Sequence, residues 1–334
     1  MRFLVIGGAG YIGSHFIREA KRQGHSSVVY DNLERGFRES IPSDVPFIKA
    51  DLLDSKTLEE TIKDGHFDAI YHFAAFALVG ESVSQPELYY ENNVEGVRVL
   101  LEAMRKLKTK SNAVLIFSSS CAVFGTPSKL PISEEDPKKP QSPYGKSKLI
   151  DEWMIEDYCY AHGMRGMALR YFNACGADKD GGIGEAHDPE THLIPNVIKA
   201  ALAKETVTIF GDDFETLDGT CVRDYIHVTD LADAHIKAAA YLCAQKGAIY
   251  DAIHLGTGNG YSNLQVVKVI EKVLGMMIEQ RIGARRAGDP AGLYADNRKA
   301  KKILGFTTRY SDLETIIATA LAWHQEAPEG YNRG

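Results

Sequence analysis

The sequence predicts an α/β protein with a doubly wound parallel sheet and a second, smaller mixed α/β lobe. In the first half, short apolar runs rich in β-branched residues alternate with amphipathic stretches, as expected for buried parallel strands joined by helices. After residue 175 the rhythm loosens into a polar stretch, DKDGGIGEAHDPETH, and shorter elements follow. We therefore divide the chain into 1–175, the main sheet, and 176–334, the smaller lobe.

The individual elements follow from these runs. In the first half we expect strands at 3–6, 27–31, 46–51, 68–75, 113–120 and 166–172. In the second half we expect helices near 193–204, 229–244 and 262–275, and strands at 206–211 and 252–256. The run DYIHV, residues 224–228, is a candidate to return to the main sheet, so part of 220–260 could belong to that sheet.

Composition limits the partners that the chain can have. The 334 residues carry 38 basic and 45 acidic side chains, a formal net charge of −7, and no basic run dominates a segment, so we expect no nucleic-acid partner. The N-terminal apolar stretch is too short for a signal peptide, and no later run approaches the ~18 residues that span a bilayer. Five cysteines without C-x-x-C spacing predict reduced thiols rather than disulfides or a zinc site. We expect a cytoplasmic protein without membrane contact.

A dinucleotide site is predicted directly after the first strand. Gly7, Gly10 and Gly13 are spaced G-x-x-G-x-x-G and open an amphipathic segment, where glycines permit a tight turn and close approach of the backbone to a pyrophosphate. The second strand ends at Asp31, 31 − 13 = 18 residues after the last of these glycines. A carboxylate there accepts from a ribose 2′-hydroxyl and repels a 2′-phosphate, which favours NAD over NADP. Alternatively, Asp31 is an ordinary turn residue.

Two further strand ends predict how the cofactor runs along the sheet edge. They are Asp51-Leu52 after the third strand and Phe73-Ala74-Ala75 after the fourth, where small residues admit the cofactor. This Rossmann-type arrangement places ligands at the carboxyl ends of parallel strands.

The stretch SPYGKSK predicts a catalytic base. Ser142 and Pro143 suit the N-cap and first position of a helix, and Tyr144 and Lys148, four residues apart, share one face. We expect the ammonium and the helix N-terminus to lower the pKa of Tyr144 from ~10 towards neutrality. Ser120, the last of three serines ending the fifth strand, is then placed to bridge a substrate hydroxyl and the phenol.

Longer motifs carry a family resemblance. GGAGYIGSH, FSSS, SPYGKSK, LRYFN, GDDFETLDGTCVRDYIHVTDLADAH and RRAGDP, spread over nearly the whole chain, resemble the nucleotide-sugar epimerases of the extended short-chain dehydrogenase/reductase family. The resemblance implies reversible inversion at C4 of a UDP-hexose, UDP-glucose or UDP-galactose. Tyr144 would remove the proton of the 4-hydroxyl while NAD takes the C4 hydride, and the resulting 4-keto sugar would turn and regain hydride on its other face.

The resemblance also implies site residues and a homodimer, and the cysteine and histidine patterns themselves predict no metal site. Besides the residues above, it assigns to NAD the residues Tyr11, Ile12, Asn32, Asn92, Ser118, Tyr144, Lys148 and Phe172. To the UDP-sugar it assigns Ser120, Asn173, His192, Leu193, Phe210, Arg223, Arg286 and Asp289. His187 and His192 lie in the polar loop without a carboxylate–histidine metal pattern, and helices near 86–107 and after Tyr144 would pair across a two-fold axis.

Three positions depart from the family pattern. Phe124 stands where tyrosine is usual, and we expect little effect from the lost hydroxyl. Ala77 stands where relatives usually have a lysine, which predicts looser NAD retention, and Leu293 replaces a tyrosine that crowds N-acetyl groups in some members. Leu293 is smaller and keeps a UDP-N-acetylhexosamine 4-epimerase as an alternative. UDP-pentose and UDP-uronate 4-epimerases share the same catalytic residues and are alternatives too, and a non-catalytic NAD-sensing regulator is a weaker one. A dehydratase is disfavoured because Cys121-Ala122, rather than a carboxylate pair, follows Ser120.

Overall fold

The computed structural model describes residues 1–108, 111–286 and 288–331. Its strands are β1 Arg2–Ile6, β2 Ser26–Asp31, β3 Phe47–Lys49, β4 Ala69–His72, β5 Val114–Ser120, β6 Arg165–Tyr171, β7 Asn173–Cys175, β8 Val207–Phe210, β9 Val222–Arg223, β10 Tyr225–His227, β11 Ile249–Leu255, β12 Tyr261–Ser262, β13 Gln280–Gly283 and β14 Gly292–Leu293. Its α-helices are α1 Tyr11–Arg22, α2 Ser55–Gly65, α3 Val79–Ser84, α4 Pro86–Tyr89, α5 Gly96–Lys106, α6 Pro143–His162, α7 Leu193–Ala203, α8 Val228–Ala244, α9 Asn263–Leu274, α10 Arg298–Leu304 and α11 Leu313–Glu326. A π-helical segment, Tyr90–Glu95, joins α4 to α5.

Seven of these strands form one sheet in the order β3-β2-β1-β4-β5-β6-β11, and every neighbouring pair is parallel. The predicted doubly wound parallel sheet is therefore confirmed. All six predicted strands of the first half are present, with ends that differ by up to three residues. The fourth strand ends at His72, so Phe73-Ala74-Ala75 lies in the loop beyond the sheet edge.

The sheet is buried on both faces. Along β1, Phe3 and Val5 belong to one apolar cluster, and Leu4 and Ile6 belong to another, because successive side chains of a strand point to opposite faces. The first cluster includes residues of α1 and α8, and the second includes residues of α2, α5 and α6. Helices thus cover both faces, as the continuous apolar runs predict.

The prediction that DYIHV joins the main sheet is wrong. β10 pairs with β7 in a separate two-stranded sheet, while β11, seven residues long, occupies the whole edge beside β6. No edge of β6 is left for a second neighbour, so β10 pairs with the short strand that follows β6. The second half does return to the main sheet, but through β11 and its preceding helix α8.

The smaller lobe has its own apolar cluster, built from α7, α9 and α11 with β8 and β10. The predicted helices and strands of this half are all present, and residues 178–192 contain no helix or strand, as predicted. The division at 175/176 stays a prediction, since α8 and β11 pack in the main layers. Among the described residues, no helix is long and apolar enough to cross a membrane.

Candidate active site

The glycine turn after β1 brings two backbone segments into contact. Gly7 has φ +75°, and a Cβ there would lie 2.3 Å from the nitrogen of Ala74. A Cβ on Gly13 would lie 2.4 Å from the Gly7 oxygen, so α1 can pack closely on the turn. Gly10 is the N-cap of α1, which leaves backbone N–H groups free for an anion at the helix start.

A cavity of about 100 Å³ opens at the carboxyl ends of β1 to β4. It is lined by ten of the residues predicted to bind the cofactor: Gly7, Gly10, Asp31, Asn32, Asp51, Leu52, Phe73, Ala74, Ala75 and Asn92. These residues come from five separate segments of sequence, and the structure brings them to one sheet edge.

Asp31 at the end of β2 is both a turn residue and a cavity residue. Its Oδ1 accepts from the Leu33 N–H at 2.8 Å and its Oδ2 from the Ala9 N–H at 2.9 Å. Burial raises the pKa of Asp31, and these two backbone donors oppose that rise. The two hydrogen bonds fix the orientation of the carboxylate and leave it acceptor capacity for a ribose hydroxyl.

Several residues predicted to bind the cofactor do not line this cavity. The Tyr11 hydroxyl donates to the Gly176 oxygen at 2.6 Å, and Phe172 packs in an apolar cluster with Phe124. The others are Ile12, Gly13, Ser118, Tyr144 and Lys148. Their contacts with a cofactor stay predictions.

The predicted base lies at the start of a long helix. Ser142 caps α6, its Oγ accepting from the Gly145 N–H at 3.1 Å, and Pro143 is the first helical residue. The Tyr144 side chain is buried, and the Ser120 hydroxyl lies close enough to it to favour the phenolate. Ser120 Oγ accepts from the Ala122 N–H at 3.1 Å, which fixes the hydroxyl beside the phenol.

The expected fall in the pKa of Tyr144 is not found. Burial raises this pKa to about 12, and the nearby Ser120 hydroxyl offsets the rise only in part. The Lys148 ammonium instead donates to the Ser118 carbonyl oxygen at 2.8 Å, and burial lowers the pKa of Lys148 to about 8. The prediction counted the charge of Lys148 but not the burial of the phenol, and burial dominates.

The serines ending β5 are held from both faces of the sheet. Ser118 Oγ donates to His235 Nε2 at 3.2 Å on the α8 side, since His235 Nδ1 donates to a backbone carbonyl. Ser119 Oγ donates to Glu152 Oε1 at 2.5 Å on the α6 side, and Glu152 forms a buried two-point ion pair with Arg170. The hydrogen bonds of Ser118 and Ser119 hold the end of β5 in place, and Ser120 with it, next to Tyr144.

Asn93, which sequence reasoning missed, ties the cofactor cavity to α6. Its Oδ1 accepts from the Phe76 N–H at 2.9 Å and its Nδ2 donates to Ser147 Oγ at 3.1 Å. It lies in the π-helical segment, a feature frequent at functional sites. The available signal was Asn92-Asn93 inside a predicted helix, because asparagine is a poor helix former.

A larger cavity of about 490 Å³ lies in the smaller lobe. Seven of the eight residues predicted to bind the substrate line it: Asn173, His192, Leu193, Phe210, Arg223, Arg286 and Asp289. Ser120 is the exception, since it lies with Tyr144 outside this lining. Tyr225 and Asn263 also line the cavity and were not predicted.

Two arginines give this cavity local positive charge. Arg223 donates to the Pro290 oxygen at 2.9 Å and lies 3.4 Å from Asp289 Oδ1. The Arg286 guanidinium stacks over the Phe210 ring at 4.2 Å. Planar guanidinium groups held in this way suit a diphosphate.

The expectation that His187 and His192 lack a carboxylate–histidine pattern is wrong. Both imidazoles lie close to Glu185 and Glu190 in the structure. The four residues fall within eight positions of a loop without regular structure, so side-chain direction could not be predicted there.

Comparison with known proteins places the chain among similar enzymes. The model of the NAD dependent epimerase/dehydratase family matches residues 3–252. A protein of Lactobacillus helveticus named UDP-glucose 4-epimerase is 46% identical over 332 residues, which is 99% of each chain. The crystal structure of UDP-glucose 4-epimerase from Brucella ovis in complex with NAD is 50% identical, has a TM-score of 0.91, and matches 96% of this chain and 97% of its own.

A second solved structure shows the same fold with a nucleotide in place. UDP-glucose 4-epimerase from Bifidobacterium longum, in complex with NAD+ and UDP, is 37% identical with a TM-score of 0.92, covering 99% of this chain and 100% of its own. Sequence and fold agree over the whole length of the chain. The chain belongs to the NAD dependent epimerase/dehydratase family and, within it, to the group of UDP-glucose 4-epimerases.

Proposed function

We propose that the chain catalyses the NAD-dependent, reversible inversion at C4 of a UDP-hexose, interconverting UDP-glucose and UDP-galactose through a 4-keto sugar. The observation that carries this proposal is the buried Tyr144–Ser120 pair beside both cavities. Tyr144 packs in one cluster with Phe76 of the cofactor cavity. Cys121, which follows Ser120, packs in one cluster with Leu293, the strand partner of Arg223 in the larger cavity. A phenol there can act on a sugar that spans the two.

The residues of the small cavity fit a dinucleotide. Gly10 lines this cavity as the N-cap of α1, whose first N–H groups can bind a phosphate, and Asp31 presents a fixed carboxylate for a ribose. Bound NAD supplies a hydride acceptor for the sugar C4 and a positive charge that favours a phenolate. The chain supplies orientation, exclusion of water and the proton acceptor.

Proton movement at Tyr144 Oη is the chain's own part of the reaction. The phenol takes the proton of the 4-hydroxyl as hydride leaves C4, and returns it when hydride returns to the opposite face. Ser120 holds the sugar oxygen against the phenol, and Lys148 holds the end of β5 through Ser118. No net oxidation results, because the hydride is given back.

A panel of sugar nucleotides tests the proposed function. We expect the highest kcat/KM with UDP-galactose in an assay that compares it with UDP-GlcNAc, UDP-xylose and UDP-galacturonate. A higher value for one of the other three would assign the chain to that alternative substrate. Binding of NAD with no conversion of any sugar would contradict the proposal and favour the NAD-sensing regulator.

Leu293 predicts that UDP-N-acetylhexosamines are also accepted. It pairs with Arg223 across β14 and β9 and packs beside Phe172 and Phe124. We expect turnover of UDP-GlcNAc, and we expect Leu293→Tyr to lower its kcat/KM by at least ~10-fold relative to UDP-galactose, because added bulk rejects the larger sugar. Leu293→Met, which conserves volume, is the control. No turnover of UDP-GlcNAc at high enzyme concentration would contradict this prediction.

Ala77 predicts weak retention of NAD. Its exposed side chain brings no charge to the cofactor cavity, and Arg35, which lines that cavity, is paired with Glu81 at 2.9 Å. We expect the purified protein to carry less than one NAD per chain after gel filtration, and Ala77→Lys to bind NAD at least ~10-fold more tightly, the effect of one charged hydrogen bond. Val79→Lys, two residues further and also exposed, is the control. Stoichiometric NAD in the unmodified protein would refute the prediction.

A homodimer through α5 and α6 is part of the proposal. Trp153 and Tyr160, seven residues apart on one face of α6, are 55% and 59% exposed. Burying such aromatic side chains favours association. We expect sedimentation to give twice the 36.8 kDa chain mass, and Trp153→Glu to shift the protein towards monomer. A monomer at all concentrations would rule the dimer out.

A cytoplasmic location is also part of the proposal, and the five free cysteines are consistent with it.

A further inference from the structure

Four side chains that the proposed reaction does not use converge on the loop before α7. Glu185, His187, Glu190 and His192 each offer one donor atom, and these atoms lie within 4.8 Å of one another. We propose that these four residues, named here the EHEH cluster, bind a divalent transition-metal ion, with Zn²⁺ the best match. Two imidazoles and two carboxylates are a ligand set that zinc favours.

The donor atoms of the EHEH cluster lie close together. Glu185 Oε1 lies 3.0 Å from His187 Nδ1 and in direct contact with His192 Nδ1. Zinc binds nitrogen and oxygen at about 2.0–2.2 Å, so the ligands of a tetrahedral ion are roughly 3.3 Å apart. The observed separations lie on both sides of that value and none exceeds 4.8 Å, so adjustment of the side chains alone would bring the four atoms around one ion. The mixed nitrogen and oxygen donors disfavour Ca²⁺ and Mg²⁺, which prefer oxygen alone.

Glu190 gives an independent sign that a cation belongs here. Its side chain is 7% exposed, and its Oε1 lies 3.9 Å from His187 Nδ1 and 3.6 Å from His192 Nδ1. That oxygen accepts from the N–H groups of Thr191 and His192. The other oxygen, Oε2, is buried and has no hydrogen-bond partner in the described ranges. A buried carboxylate oxygen without a donor is costly, and a coordinated ion would satisfy it.

Hydrogen bonding within the EHEH cluster does not replace the ion. The Nδ1 atoms of His187 and His192 both contact Glu185 Oε1, and neither contact involves Glu190 Oε2. These contacts leave Glu190 Oε2 without a hydrogen-bond partner among the described residues. The two imidazoles are 36% and 47% exposed, so an ion has a route from solvent.

The EHEH cluster forms one wall of the substrate cavity. Glu185 and His192 line that cavity, and α7 begins at the next residue, Leu193, which lines it as well. On the other side, the Tyr11 ring contacts His187 at 6.0 Å between centroids. A bound ion would therefore hold in place the loop before α7, which lies between α1 and the wall of the substrate cavity. This consequence rests on the proposed function, whereas metal binding itself does not.

Zinc binding by the full chain tests the inference. The purified protein is freed of metal with a chelator and titrated with ZnCl₂ by calorimetry, without any sugar nucleotide, and metal content is measured after gel filtration. We expect one Zn²⁺ per chain and a higher Tm with zinc. We expect His187→Ala and Glu190→Gln each to weaken binding by more than ~100-fold, beyond the loss that outer ligands cause.

His162→Ala, an exposed histidine near the end of α6, is the control and should bind zinc as the unmodified chain does. Glu190→Gln keeps the size of the side chain, and circular dichroism checks that it is folded. The inference is overturned if the unmodified chain binds no zinc at micromolar concentration, or if Glu190→Gln and His187→Ala bind it unchanged. Because the titration contains no substrate, loss of epimerase activity and loss of metal binding are separately observable.

Discussion

Tyr144→Phe lowers the turnover of UDP-galactose by about 10²–10⁴-fold, the usual contribution of a general base, while the KM stays close to its original value. The substitution removes one oxygen and leaves the buried ring, which packs with Phe76 and Tyr89. The sugar can still bind, but no group takes the proton of its 4-hydroxyl. Steady-state kinetics with NAD in excess measures the effect.

Tyr158→Phe is the matched control for this variant. Tyr158 is on the same helix, and its hydroxyl donates to Glu102 at 2.6 Å on the outer side of the molecule. Its loss should leave kcat unchanged. Normal turnover by Tyr144→Phe would show that the phenol is not the base.

The pH dependence gives a second readout for the same residue. Burial raises the pKa of Tyr144 to about 12, and a base acts only in its deprotonated form. Turnover of the unmodified enzyme should therefore rise with pH up to the apparent pKa of the phenol in the complex with NAD. We expect that rising limb to be absent from the residual activity of Tyr144→Phe.

The sequence is most informative where chemistry depends on local order. The glycine turn, Asp31 and the strand ends were predicted because each lies at a fixed place relative to a strand, and parallel strands bring their carboxyl ends to one edge. Seven of the residues assigned to the substrate line one cavity. They were found through whole motifs of a family, since Arg223 and Arg286 have no local feature that separates them from surface arginines.

What the sequence could not provide depends on burial and on long-range contacts. The pKa of Tyr144 is set by exclusion of water, which neighbours in the chain do not reveal. The pairing of β10 depended on which strand takes the free edge of β6. That strand is β11, which begins 22 residues after the end of β10, so β10 pairs elsewhere. The EHEH cluster depends on side-chain directions within a loop. A loop has no regular repeat like that of a helix or a strand, so these directions cannot be read from the spacing of residues.

Lys148→Met is expected to lower turnover by about 10²–10³-fold, the range for loss of one fixed electrostatic group. The Lys148 ammonium is buried, donates to the Ser118 oxygen at 2.8 Å and lies over the Phe117 ring at 4.6 Å. Methionine keeps the length and packing of the side chain but removes its charge. The end of β5 would lose the contact that holds it, and steady-state kinetics measures the result.

The same substitution should also destabilise the fold in a pH-dependent way. Asp151, one turn further along α6, is buried, and neither of its carboxylate oxygens has a hydrogen-bond partner in the described part of the chain. Burial raises the pKa of Asp151 well above its usual value, and Lys148 opposes that rise. Removing one partner of such a buried pair costs roughly 3–5 kcal/mol in unfolding free energy when the remaining charge stays ionised.

The sign of this pH dependence follows from proton binding. Near the pKa of unfolded Asp151, ~3.9, the carboxyl is protonated in both folded proteins, because burial raises its pKa. As pH rises, the folded variant holds this proton to a higher pH than the unmodified protein, in which Lys148 opposes the rise, so the variant loses stability relative to it. The deficit of Lys148→Met should therefore shrink as pH falls towards 4. Urea unfolding at several pH values measures it, and a deficit that is constant with pH would contradict this account.

The double variant Lys148→Met/Asp151→Leu separates stability from catalysis. Leucine removes the buried carboxyl, and replacing both members of a buried ion pair by apolar side chains is often neutral or stabilising. We therefore expect unfolding free energy to return to at least its original value while turnover stays low. If turnover returned as well, Lys148 would act only by neutralising Asp151, and its proposed place beside the cofactor would be wrong.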